Sequence, residues 1–181
     1  MIGCERGKVP DGVVLRSELQ IGEGIVLRQW RADDAPSLAA ACDDPEIARW
    51  LAVPSPYTLD AAHAYLAWVE AWWASGEQYA HAISTGRAVL GAISLRPHAQ
   101  RPSIGYWLAA SARGRGIATR AVAAIAGWGR DTFGLSEVWI FAQPSNTASC
   151  RVARRAGFVE QGERVLFPDG KPRAIFRRAL R

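Results

Sequence analysis

The sequence predicts an α/β (α+β) sandwich, in which helices cover a central sheet. Three observations point there. Strand-like segments follow one another between residues 78 and 108, a strand–helix–strand unit spans about 104–142, and helix-forming stretches flank both. The 181 residues suit one domain with a sizeable core. The expected division is a tail or extra strand over 1–22 and a single domain over 23–181.

Residues 1–12, with Gly3, Gly7, Pro10 and Gly12, read as a loose tail, and Val13 to Leu15 as a short extra strand. Ile25 to Trp30 reads as a strand. Asp33 and Asp34 precede the helix formers Ala35 to Cys42, which is an N-cap signal. Pro45 to Leu51 suggests another helical turn. Thr58 or Asp60 caps a longer helix to about Trp73, stopped by Gly76. On that helix Ala62, Leu66, Val69 and Trp73 form one stripe, and Tyr65, Trp68 and Trp72 another. The expectation is burial on both faces. The alternative is an aromatic stripe that lines an acceptor cleft or a dimer contact. Gln78–Ser84, Ala88–Leu95 and Ile104–Leu108 read as strands, with turns at Gly86 and at Pro97–Pro102. A helix follows from about Gly116 to Phe133, then a strand over Leu135–Ala142 and a helix over Thr147–Ala156. Two terminal strands flank Pro168-Asp169-Gly170.

Composition narrows the function. Hydrophobic residues make up 49% and charged residues 22%, a globular balance. The net charge is +5, but residues 113–181 carry +8 and residues 1–112 carry −3. All but Lys8 and Lys171 of the basic residues are Arg, the side chain suited to planar recognition of phosphate and carboxylate. No apolar run approaches the roughly 18 residues that cross a bilayer, and Met1–Pro10 lacks the core of a secretory signal. Cys4, Cys42 and Cys150 are odd in number and far apart, and His63, His81 and His98 show no zinc spacing. The expected compartment is the cytoplasm, with no metal and no membrane.

The segment from Ile104 to Thr119 carries the strongest signal. A strand runs into Arg113-Gly114-Arg115-Gly116 and then into a helix. Glycines let the backbone approach a bulky anion, and the first helical N–H groups lack partners. That is a phosphate site. A Walker loop would need Gly-Lys-Ser/Thr, which is absent. A Rossmann turn would need Gly or Ala where Thr119 stands. Arg-Gly tails that bind RNA are disordered, whereas this stretch sits between a strand and a helix.

Arg113-Gly-Arg-Gly116-Ile117-Ala118 resembles the Gln/Arg-x-x-Gly-x-Gly/Ala pyrophosphate loop of the GNAT N-acetyltransferase superfamily. A second match follows: Asn146-Thr-Ala-Ser149, Arg151-Val152 and Ala156-Gly157-Phe158. That segment is similar to the RimJ/RimL-like branch, which acetylates the N-termini of ribosomal proteins. Leu27-Arg28-x-Trp30 with Asp33-Asp34-Ala35, Pro56-Tyr57, Leu90-Gly91-Ala92-Ile93 and Gly105-Tyr-Trp-Leu108 extend the resemblance over about residues 24–180.

The resemblance implies a GNAT-type mixed, mostly antiparallel splayed sheet of about six to seven strands, with helices on both faces. Residues 103–109 and 135–142 would be the strands that separate. It implies acetyl-CoA as cosubstrate, with the pantetheine arm on the backbone of Trp107, Leu108 and Ala109. The N–H groups of Arg113, Gly114, Arg115, Gly116, Ile117, Ala118 and Thr119 would hold its pyrophosphate. Arg151 or Arg154 would add charge. Asn146 would bond the pantetheine arm, cap the following helix, or both. The reaction implied is direct attack of a primary amine on the thioester, with the Leu108 N–H facing the oxyanion. Ser149 would protonate the leaving thiolate, or else bond its own backbone. A covalent route through Cys150 lacks a His partner. The Glu common in relatives before the Gly-Tyr-Trp-Leu strand is Ser103 here, so His98, His81 or a water relay are the candidate bases. The acceptor would be a protein N-terminus or a small amine, bound against an acidic wall from residues 1–112, and a homodimer fits the aromatic stripe. The rival readings are a CoA sensor without turnover and a basic nucleic-acid binder. The latter needs aromatics interleaved with the arginines on one exposed face, whereas Trp128 and Trp139 fall where core packing is expected.

Overall fold

The computed structural model describes residues 18–86 and 88–181. The proposed strand at Val13–Leu15 and the tail before it lie outside the described residues. Among the described residues eight strands form one sheet in the order β1-β2-β3-β4-β5-β6-β8-β7. They are β1 (Leu19–Gln20), β2 (Val26–Gln29), β3 (Tyr79–Thr85), β4 (Ala88–Arg96), β5 (Ser103–Leu108), β6 (Glu137–Ala142), β7 (Val159–Leu166) and β8 (Pro172–Ala179). Two-residue β1 takes the sheet beyond the expected six to seven strands. All neighbours pair antiparallel except β5 and β6, which are parallel.

Among the described residues five α-helices accompany the sheet: α1 (Ala35–Cys42), α2 (Pro45–Trp50), α3 (Leu59–Ser75), α4 (Ile117–Phe133) and α5 (Thr147–Arg155). Successive strand residues point to opposite faces. Tyr106 and Leu108 join the main core with α4 and α5, while Trp107 between them joins a smaller cluster with Leu38, Cys42 and Ala62 of α1 and α3. The helices therefore cover both faces, as the sequence predicts.

Local signals explain most boundaries. Thr58 Oγ1 accepts the Ala61 N–H to start α3, and Gly76 ends it in the left-handed region at φ 72°. Asp44 caps α2 by accepting the Glu46 N–H, with Pro45 at the first position. Two expectations need correction. Asp34 stands at the N-cap of α1, but its side chain makes no capping bond to that helix. A 3₁₀ turn (Ala32–Asp34) precedes that helix, and the Asp34 carboxylate accepts the Arg31 N–H at 2.8 Å. Helix α3 is not buried on both faces either. Ala62 and Val69 are buried, but Trp68 is 60% exposed. Ala62 and Leu66 of the first stripe and Tyr65 of the second pack in the cluster of Leu38, Cys42 and Tyr57, where Tyr65 makes edge contacts to Trp30 and Trp72.

Arg28 of β2 and Asp34 are both buried and paired through two bonds of 2.7 and 2.8 Å. This bidentate pair ties the sheet to the entry of α1. Burial alone would raise the Asp34 carboxyl, but Arg28 and the Arg31 N–H outweigh it and hold the group below 3.8. Gly91 of β4 lies against β5 so closely that a Cβ there would collide with the Trp107 carbonyl and the Leu108 side chain.

Two predictions follow. Asp34→Asn leaves a buried guanidinium without its counter-charge and costs about 3–5 kcal/mol in urea unfolding at neutral pH. A carboxyl depressed in the folded state stabilises above its unfolded pKa and loses that effect as pH falls. The gap between wild type and variant therefore narrows below about pH 3.8. Gly91→Ala forces β4 and β5 apart and costs about 1–3 kcal/mol by the same measurement.

Candidate active site

The site begins where two strands part. β5 and β6 share one bridge, Ser103 with Trp139, supported by the Trp139 N–H on the Pro102 carbonyl at 2.8 Å. Beyond it they diverge. The register of β5 on β4 fixes which backbone groups this exposes. The Ala109 N–H donates to the Leu90 carbonyl at 2.9 Å, so that edge of the strand is satisfied by β4. Hydrogen-bonding direction alternates along a strand, so Tyr106 and Leu108 present their N–H and C=O towards β6. A cleft of about 500 Å³ opens there, bounded by β5, β6, the loop before α4, α5 and α2.

The glycine loop forms one end of the cleft. Gly114 and Gly116 have φ of 77° and 71°, a region costly for residues with a Cβ. Gly116 is also the N-cap of α4 and has no side chain to satisfy the helix. The first intrahelical bond to its carbonyl comes from the Arg120 N–H, leaving the N–H groups of Ile117, Ala118 and Thr119 without helical partners. Apolar burial of Ile117 and Ala118 fixes the helix end against the core. The result is a ring of donors at the positive end of a 17-residue helix, suited to a pyrophosphate.

The opposite wall comes from α5. Asn146 Oδ1 accepts the Ser149 N–H at 3.0 Å, so the capping role expected of Asn146 is seen. Ser149 Oγ lies 2.9 Å from the Tyr106 hydroxyl, whose distance to the Ser149 carbonyl is 3.2 Å. Burial pushes the Tyr106 phenol up to about 12, against a smaller opposite effect of Ser149. It therefore keeps its proton throughout the neutral range. Cys150 turns the other way. It is buried with its thiol towards the Gln143 carbonyl, and burial raises its pKa. That environment disfavours a nucleophilic thiolate.

Of the residues singled out in the sequence, the cleft brings together Trp107, Leu108, Arg113, Gly114, Gly116, Ile117, Ala118, Thr119, Asn146 and Ser149. It does not include Ala109, whose N–H belongs to the sheet, or Arg115, whose guanidinium lies 3.7 Å from Glu23. The Arg113 N–H is also spent, on the Ala110 carbonyl. The Arg113 side chain bridges the Leu108 carbonyl at 3.1 Å and Asp44 at 2.6 Å. Neither candidate histidine lines the cleft. His98 is exposed at the β4–β5 turn, edge-on to Phe133. His81 is fully buried between Trp73 and Trp128, and burial drives its imidazole down to about 3.

The cleft also contains residues that the sequence reading missed. Tyr106 stood inside a quoted motif, but its contact with Ser149 joins positions 43 apart. Glu46, Ile47, Trp50 and Leu51 enter from α2. Arg155 lines the cleft in place of Arg154, which is drawn away by Glu160 at 2.7 Å. Arg173 lines it from β8, fixed by Asp169 at 2.6 Å and stacked over Phe167. The expected acidic wall shrinks to Glu46 among the described lining residues. Trp139 is not core. It sits half-buried with Arg101 over its ring at 4.8 Å and Arg177 at 5.9 Å.

No curated protein sequence matches the chain. Solved structures do. RimL, a ribosomal L7/L12 α-N-protein acetyltransferase in complex with coenzyme A, superposes with a TM-score of 0.80 at 19% identity, over 91% of this chain and 98% of that one. RimJ of Mycobacterium smegmatis gives 0.75 at 22%, over 86% and 81%. AAC(6')-Ib in complex with ribostamycin and coenzyme A gives 0.73 at 21%, over 87% and 94%. At these identities the likeness is one of fold. The family model for the acetyltransferase (GNAT) domain matches residues 25–159, three quarters of the chain, and with the splayed strands and the glycine loop in one cleft, this chain belongs to the GNAT acetyltransferase family.

Proposed function

We propose that this protein transfers the acetyl group of acetyl-CoA to a primary amine, by direct attack of the neutral amine on the thioester. The observation that carries this reading is the cleft, in which the unpaired β5 edge, the donor ring of residues 117–119 and the Tyr106–Ser149 pair face one space.

The residues fit the cosubstrate. The free N–H groups at the start of α4 suit its pyrophosphate, and the backbone of Tyr106 suits an amide of an extended arm, which would run along β5 as a strand does. The Leu108 N–H is the donor for the oxyanion, and Arg113 steadies that residue through its carbonyl. Ser149 serves as the proton donor to the departing sulfur. Tyr106 keeps Ser149 oriented and, as a phenol that stays protonated, can donate to Oγ while Oγ–H points to the sulfur.

Acceptors in the relatives' own names are a ribosomal protein and an aminoglycoside. For this chain we keep the acceptor as a protein N-terminus or a small amine. An α-amino group, with pKa near ~8, is partly neutral at physiological pH and asks little of a base. No helix among the described residues is long and apolar enough to cross a membrane. The free buried thiols of Cys42 and Cys150 suit the reducing cytoplasm, where we place the protein.

Two predictions test this reading. Gly116→Glu puts a carboxylate and a Cβ at the donor ring. Calorimetric titration with acetyl-CoA is expected to show binding to wild type and none to the variant at millimolar concentration. Tyr106→Phe lowers kcat about tenfold with the Kd for acetyl-CoA within twofold of wild type, because it removes only the partner of Ser149. In wild type, the kcat profile shows no inflection from Tyr106 between pH 6 and 10.

A further inference from the structure

Neither candidate histidine lines the cleft and the family's usual Glu position is Ser103, which leaves the acceptor's charge without an assigned partner. Glu46 is the only acidic side chain among the described residues that line the cleft. It follows Pro45 in the first turn of α2, with its side chain 47% exposed. Its Oε1 accepts the Trp50 Nε1–H at 2.6 Å, so the carboxylate and the indole form one unit on successive turns. The unit already holds a cation on its outer side. The Arg49 guanidinium lies 3.6 Å from Oε2 and 4.7 Å from the centre of the Trp50 ring. Carboxylate plus aromatic face is the combination that an ammonium group seeks.

The unit is held in register with the reaction centre. Asp44, the cap of α2, binds Arg113 at 2.6 Å, and Arg113 binds the Leu108 carbonyl at 3.1 Å. α2 is thus tied to the residue whose N–H faces the proposed oxyanion. Arg151, Arg155 and Arg173 also line the cleft. A cation entering this space meets one anionic side chain.

We propose that Glu46 and Trp50 form the subsite for the acceptor's amine, and that the acceptor is a primary amine that arrives as an ammonium ion. Glu46 draws it in by charge, Trp50 borders it, and its proton passes to solvent before the neutral amine attacks. This rests on the acetyl-transfer reading above.

The test needs no knowledge of the acceptor. S-(2-aminoethyl)-CoA carries an ammonium two carbons from sulfur, and S-ethyl-CoA is its neutral counterpart. Calorimetry on the full chain is expected to show wild type binding the amino compound about two- to fivefold tighter, the strength of a partly exposed ion pair. Glu46→Gln, which keeps a carbonyl oxygen for Trp50, is expected to bind both equally and to match wild type for S-ethyl-CoA. No preference in wild type, or an undiminished preference in the variant, overturns the subsite and leaves the CoA cleft standing. Failure of both compounds to bind wild type overturns the cleft reading and the subsite with it.

Discussion

The single bridge between β5 and β6 is the constraint on which the rest of the structure depends. A sheet normally satisfies every backbone donor and acceptor in its interior, because an unpaired buried group is costly. Here two central strands pair at Ser103 and Trp139 and then separate. The Arg113 side chain takes the Leu108 carbonyl; the Tyr106 groups and the Leu108 N–H need another partner, and an extended chain with amides is the natural one. The opening is stable because each strand is held from its far side. β5 is locked to β4 along its length, with Gly91 permitting the close approach, and β6 is locked to β8 over six registered pairs.

The connection between the parting strands supplies the second half of the site. A parallel pair requires a crossover, and α4 is that crossover. Its start lies at the C-terminal end of β5, where the splay is widest, so the helix's unpaired N–H groups open onto the gap. The glycines at 114 and 116 have a conformational duty and a steric one. Their left-handed φ makes the turn, and the missing side chain at the N-cap leaves the donors for a ligand. Arginines are less directly involved than their number suggests. Arg113 is engaged with Asp44 and Leu108, Arg115 and Arg120 with Glu23, and Arg154 with Glu160. Backbone dipoles, rather than guanidinium groups, dominate the loop.

Two polar links then set the precision of the site. Tyr106 reaches across from the sheet to Ser149 on α5, and Arg113 reaches from the loop to Asp44 at the start of α2. Together they fix the walls of the cleft relative to the one strand that carries the proposed oxyanion donor. The proposed acceptor side is built differently. It is the short α2, whose Glu46, Ile47 and Trp50 line the cleft.

The sequence by itself determined the elements and the glycine turn at one end of the cleft. Period, caps and glycines are local properties. Thr58, Gly76, Asp44-Pro45 and Gly114-x-Gly116 announce their structures within a few residues, and Asn146 announces the start of α5. What only the tertiary structure decided lies in contacts between distant positions. Tyr106 with Ser149, Arg113 with Asp44 and the entry of Glu46 and Trp50 into the cleft join segments 40 to 70 residues apart, which no local pattern encodes. The same reason explains the misplaced expectations. Both Asp34 and the histidines have side chains suited to several roles. Arg28, six residues before Asp34, claimed its carboxylate for a buried pair, and the packing of Trp73, Trp128 and Phe133 took His81 and His98 away from the cleft. The charge asymmetry was legible as a number, but its meaning depended on which arginines found carboxylates and which did not.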